Sequence, residues 1–187
     1  LFAGWQIREF VAVEDTRGTF VRNLEESIRL QGEWFVKNQT ASGDFVYELD
    51  TETGKQIKGY NIVRQAGSLY SLGQLYKKNK DKDIRNTLKK GFEFFENLSE
   101  KQDGVENSKA ITYNNDVKSN TTALLLLALI EYIEADKAHK GELFEFAQSL
   151  ANYLVSTQLE SGGYIYEYPD QESDYNNGGL HPKCQTF

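Results

Sequence analysis

Three groups of polar and aromatic residues recur along this chain at nearly equal spacing. Tyr60, Asn61, Arg64 and Gln65 form the first, Tyr113, Asn115 and Asp116 the second, and Tyr166, Tyr168, Glu172, Asp174 and Tyr175 the third. Tyr60 to Asp116 is 56 positions, and Asp116 to Asp174 is 58. Gathered at one mouth, these residues offer tyrosine faces for stacking, amides for hydroxyl groups and carboxylates for proton transfer. That is the chemistry of a sugar site. Asp116 with Asp174 or Glu172 fits the acid/base couple of glycoside cleavage, which sets two carboxyl groups across the scissile bond. Arg64 suits a uronate or another anion held bidentately. Structural roles compete. Asp116 and Asp174 each precede a helix start, where a carboxylate caps, and Arg64 sits where it can pair with a structural carboxylate.

The elements that must position these groups are helical. Apolar spacing predicts five helices. The first runs from about Leu24 to Asn38, with Leu24, Ile28 and Phe35 on one face. The second runs from about Ile62 to Lys78. The third starts near Asp83 and carries the clearest stripe, Ile84, Leu88, Gly91, Phe92, Phe95 and Leu98. The fourth runs from Ser119 to Ala135. The fifth starts near Glu142 and aligns Leu143, Phe146, Ala147, Leu150 and Leu154. The first, third and fifth are amphipathic. The second and fourth are apolar or small nearly all round, which predicts burial on all sides. Alternation of solvated and buried helices implies an outer ring around an inner one. The expected class is therefore all-α, an α/α toroid of helical hairpins, with a two-faced solenoid as the competing architecture.

An internal repeat supports that expectation. A helix, a glutamine, a glycine turn and aromatics follow one another at Gln39-Thr40-Ala41-Ser42-Gly43-Asp44-Phe45 and at Gln158-Leu159-Glu160-Ser161-Gly162-Gly163-Tyr164, with a weaker copy at Gln102-Asp103-Gly104. The glutamines read as backbone ties between units. Alternation at Phe45, Tyr47 and Leu49, closed by Gly54, predicts a short strand or hairpin, and Gly163–Tyr168 has the same pattern. A further inner helix is due near Asp174, but Gly178, Gly179 and Pro182 oppose one there. The reading is a single partial-toroid domain over 1–187, with a lead-in at 1–21 and an irregular tail at 177–187. Either the chain is a piece of a longer protein, or its open edge is covered by a second domain or an oligomer.

The Gln…Gly-x-aromatic repeat resembles the Gln…Gly-x-Trp motif of α/α-toroid proteins, among them terpene cyclases and protein prenyltransferases. Phe45 and Tyr164 stand near the Trp position. The segment from Tyr60 to Leu72 is similar to the inner-helix start of bacterial toroids related to glycan epimerases, hydrolases and lyases. This resemblance covers roughly residues 24 to 176. It implies a fold more than a reaction, because one fold hosts many chemistries. The cyclase branch requires an Asp-x-Asp-Asp acid motif, which Asp81-Lys82-Asp83-Ile84 lacks. The zinc transferase branch requires Asp, Cys and His ligands on separate inner helices, and the chain holds one cysteine and two histidines.

Composition narrows the function classes. Twenty-one basic against 28 acidic residues give a net charge of −7, which argues against general nucleic-acid affinity. Cys184 stands alone, so there is no intrachain disulfide and no thiolate metal cluster. The longest apolar run, Ala123 to Ile130, is too short to span a bilayer. No phosphate loop, dinucleotide fingerprint or metal-ligand spacing appears, so no cofactor is expected. His139 reads as a solvated turn residue, His181 and Cys184 as members of a loose tail. The compartment stays open. Three functional readings remain: a domain acting on a polysaccharide or oligosaccharide as hydrolase, lyase or epimerase; a non-catalytic module binding a glycan or a protein; and an isoprenoid cyclase-like protein.

Overall fold

Asp81 ends one helix hairpin arm and starts the next. Its carboxylate accepts the N–H groups of Asp83 and Ile84 at 2.8 and 2.9 Å, opening α3 (Lys82–Asn97). Just before it, Lys80 takes a left-handed conformation (φ 56°) and closes α2 (Ile62–Asn79). Two residues thus turn the chain through a tight helical hairpin. The computed structural model describes residues 2–137, 140–164 and 167–168. It divides the chain into two units between Asn38 and Gln39.

The first unit is one helix, α1 (Phe2–Lys37). It begins far upstream of the predicted Leu24 and absorbs the expected lead-in. Leu24 and Ile28 are 50% and 37% exposed on it. Arg29 ties Glu26 and Glu33 along its surface.

The second unit packs α2 against α4 (Ser119–Ala135), with α3 and α5 (Lys140–Ser156) alongside. The α3 stripe is buried as its spacing predicts: Ile84, Leu88, Gly91, Phe92 and Phe95 meet the core. From α5, Phe146, Ala147, Leu150 and Tyr153 do the same. Leu69 and Leu72 of α2 and Leu125 and Leu129 of α4 fill the middle.

Between α3 and α4 the chain is not helical. β1 (Ser99–Lys101), β2 (Lys109–Tyr113) and β3 (Asp116–Lys118) run antiparallel, and β4 (Glu167–Tyr168) pairs with β3. Asn114 and Asn115 have φ of 55° and 66°, the two-residue turn that the twist of a hairpin favours. The middle repeat copy, weakest as a sequence, therefore forms the most regular strands. One side chain locks sheet to helix. Thr122 Oγ1 accepts the Ile111 N–H and donates to the Lys118 carbonyl, each at 3.0 Å.

These observations correct the expected class. The fold is mixed α/β rather than all-α, and the described residues do not show a toroid. The inner helices are not enclosed: Leu127 and Ile130 of α4 are each 40% exposed, and Arg64, Ser71 and Gln74 of α2 face solvent. Of the strand or hairpin expected after Gly43, the chain forms a small antiparallel fold-back without a regular strand: Leu49 bridges to Gln56, and the Asp50 N–H donates to the Lys55 carbonyl at 2.8 Å.

The first and third repeat copies do form the same loop. Gln39 bridges to Phe45 and Gln158 to Tyr164. Each glutamine amide donates to the carbonyl of its glycine, Gly43 at 2.8 Å and Gly162 at 3.4 Å. Gln39 also donates to the Thr87 carbonyl of α3 at 2.8 Å, tying its loop to that helix.

At the far end of the helices, Asp136 gathers three elements. Arg85 Nε donates to its carboxylate at 2.5 Å, and the Tyr76 and Tyr132 hydroxyls at 3.3 and 3.4 Å. The two tyrosine rings stack at 5.7 Å. Burial pushes Tyr132 up to about 12 and raises Tyr76 as well, with the Asp136 charge adding to both. In the unfolded chain, tyrosine ionises near pH ~10. Their contribution is therefore full below about pH 10 and drains away as the pH rises towards about 12. The expected result is a urea midpoint that is flat up to about pH 9.5 and falls steeply above about pH 10.5. A midpoint that holds through about pH 12 would contradict this.

Candidate functional site

The site grows from the start of α2. Asn61 is its N-cap, with Oδ1 accepting the Arg64 N–H at 3.1 Å. That cap leaves Tyr60 just outside the helix and Arg64 in its first turn. Tyr60 stacks on Tyr113, the last residue of β2, with centroids 5.5 Å apart and planes 27° from parallel. Tyr60 remains 38% exposed. Burial raises its hydroxyl above the ordinary tyrosine range, helped by the Asp44 carboxylate and by Tyr113. Asp44 is itself fixed by the hydroxyls of Thr40 and Ser42.

Arg64 meets a tyrosine rather than the structural carboxylate that sequence suggests. Its guanidinium donates to the Tyr47 hydroxyl at 2.7 Å and lies 5.6 Å from that ring's centroid. Among the described residues no carboxylate pairs with it, and the rest of its donors have no partner. Gly59 makes room for this arrangement. A Cβ there would stand 3.1 Å from the Tyr47 ring and 3.2 Å from Glu48 Oε2. Tyr47, Asp44 and Gly59 escape a reading by repeat position. The alternation of Phe45 and Tyr47 would set both on one face of a strand; here the segment is irregular, Phe45 is buried and Tyr47 only half-buried.

The remaining predicted residues separate. Gln65 is buried, and both ends of its amide are consumed by Phe45, its Oε1 accepting that N–H at 2.8 Å and its Nε2 donating to that carbonyl at 2.9 Å. It is a structural clamp. Asn115 is a turn residue. Asp116 begins β3 and ion-pairs with Lys118 at 3.1 Å, its side chain 59% exposed. Lys118, not Asp116, occupies the N-cap position of α4. Tyr166, Glu172, Asp174 and Tyr175 lie outside the described residues, as do His139, His181 and Cys184. Of Tyr168 only the backbone is described, opposite Val117. The proposed carboxylate pair therefore has one placed member. Among the described residues no group of three or more His, Cys, Asp or Glu is arranged to hold a metal, and no helix is long and apolar enough to cross a membrane.

Compared with known proteins, the chain matches no family model and no curated protein.

Proposed function

We propose that this chain binds an oligosaccharide across the surface made by Tyr47, Tyr60, Arg64 and Tyr113. The stacked Tyr60–Tyr113 pair carries the reading. Two tyrosines from separate repeat positions converge, one of them over a third exposed, at the N-terminal end of a helix. Aromatic faces next to hydroxyl and amide donors suit sugar rings, whose C–H faces stack while their hydroxyls bond. Arg64, held by a phenol instead of a carboxylate, adds recognition of an acidic sugar.

Titration calorimetry with neutral and uronate-containing oligosaccharides tests this. Tyr60→Ala is expected to weaken binding of both by about tenfold, near 1.4 kcal/mol. Arg64→Ala is expected to remove about 1.5–3 kcal/mol from the acidic ligand and little from the neutral one. Unchanged affinities in both variants would sink the reading.

One observation supports turnover as well as binding. Asp116 lies directly across the hairpin from Tyr113, which sets a carboxylate beside the aromatic surface. Glycan cleavage or epimerisation that Asp116→Asn abolishes, with binding kept, supports an enzyme. Binding without product supports a recognition module.

A further inference from the structure

A second recess lies between the β1–β2 connection and α5. Gln102 N–H donates to the Ser108 carbonyl at 3.1 Å and closes the connection into a loop. Asn152 of α5 donates to the Asn107 carbonyl at 3.0 Å and clips that loop to the helix. Asn107 accepts this role in a left-handed conformation, φ 51°. The cleft so enclosed has a volume of about 930 Å³, within the range of small-molecule sites.

Its wall is built for hydrogen bonding. Ser108 is 3% exposed, and its hydroxyl has no partner. A buried unpaired hydroxyl costs about 1–3 kcal/mol, which a ligand group or a water can recover. Ser149 Oγ donates to the Phe146 carbonyl at 2.7 Å and keeps its acceptor lone pairs. Lys109 lies with its ammonium 5.7 Å from the Phe146 ring centroid. Glu106 and Glu145 stand on opposite sides, one on the loop and one on the helix. The lining thus mixes donors, acceptors and both signs of charge with two apolar side chains, Val105 and Phe146. That suits a ligand rich in hydroxyl groups better than a purely ionic or a purely apolar one.

We infer that this cleft is a second ligand site, taking a short polyhydroxylated molecule of oligosaccharide type. It shares no residue with the Tyr60–Tyr113 surface and does not depend on that reading.

Amide chemical shifts of the whole chain, titrated with maltotriose, cellotriose and chitotriose, test it. At least one trisaccharide is expected to move the amides of residues 101–109 and 145–152. Gln148→Trp, an exposed α5 residue in the lining, is expected to fill the cleft and weaken that response at least tenfold. The Glu106→Gln/Glu145→Gln double variant, which adds no bulk, is expected to weaken it several-fold. The inference fails if none of the three sugars moves those amides at about 10 mM, or if the response persists undiminished in both variants. Shifts confined to Tyr47, Tyr60, Arg64 and Tyr113 would overturn the cleft and leave the first surface standing. Shifts confined to the cleft would do the reverse.

Discussion

Gly43→Ala is expected to cost at least about 3 kcal/mol, one of the two largest losses among single substitutions considered for this fold. Two effects add. Gly43 sits at φ +106°, where any side chain is strained by about 1–2 kcal/mol. A Cβ there would also stand 2.4 Å from the Lys90 carbonyl oxygen and 3.1 Å from its carbon. Those are backbone atoms of α3, so a flexible tip cannot simply swing away. The loop would lift off the helix, and Gln39 and Lys90 would lose their bonds to Thr87 and Thr40. Gly162 is the internal control. It has φ +85° with open space around it, so Gly162→Ala is expected to show only the conformational cost, about 1–2 kcal/mol. Urea unfolding of the two variants measures the difference. Equal losses would mean that the close approach of the first loop to α3 has no energetic weight.

Asp136→Ala is expected to be the second large loss, about 2–3 kcal/mol. Its side chain is 12% exposed and that of Arg85 32% exposed, so the carboxylate is largely out of water and the guanidinium only partly. Removing the carboxylate takes the counter-charge from a half-buried guanidinium and an acceptor from two tyrosine hydroxyls. Arg85→Met removes the counter-charge from the carboxylate, which keeps its two tyrosine donors, and should cost less. The double variant Asp136→Ala/Arg85→Met should cost less than the sum of the two, because the pair is then removed together. Thermal melts resolve this, at roughly 2–4 °C per kcal/mol for a chain of this size. Strict additivity would show that the network is a surface decoration.

The helices were legible because burial on one side leaves a period. Ile84, Leu88 and Phe95 announce α3, although its start was expected near Asp83 and is set by the Asp81 cap. Periodicity records that a face is covered, not how many neighbours cover it. The Leu124–Ile130 run of α4 therefore read as enclosed, whereas Leu127 and Ile130 reach solvent. The hairpin at 109–118 was missed for a related reason. Asn114-Asn115-Asp116 ahead of an apolar helix has the composition of a cap, and also of a two-residue turn between short strands. Only the pairing of Tyr113 with Asp116 decides between them. Of the site, the repeat spacing put Tyr60 and Tyr113 in groups expected at one mouth, but not their stacking, which the hairpin at 109–118 brings about. The Tyr47–Arg64 bond was not, because it depends on how the loop from 45 to 59 folds back.

The sheet and α4 have no slack between them. β3 ends at Lys118 and the helix begins at Ser119. Strand pairing on one side of that junction consequently gears the rotation of the helix on the other. One extra residue there would turn α4 by about 100° about its axis, swinging Leu125, Leu129 and Tyr132 out of the core while Val117 kept its place opposite Thr112. The junction between Lys118 and Ser119 should therefore tolerate substitution but not insertion, and added length should be borne only at the Asn114–Asn115 tip.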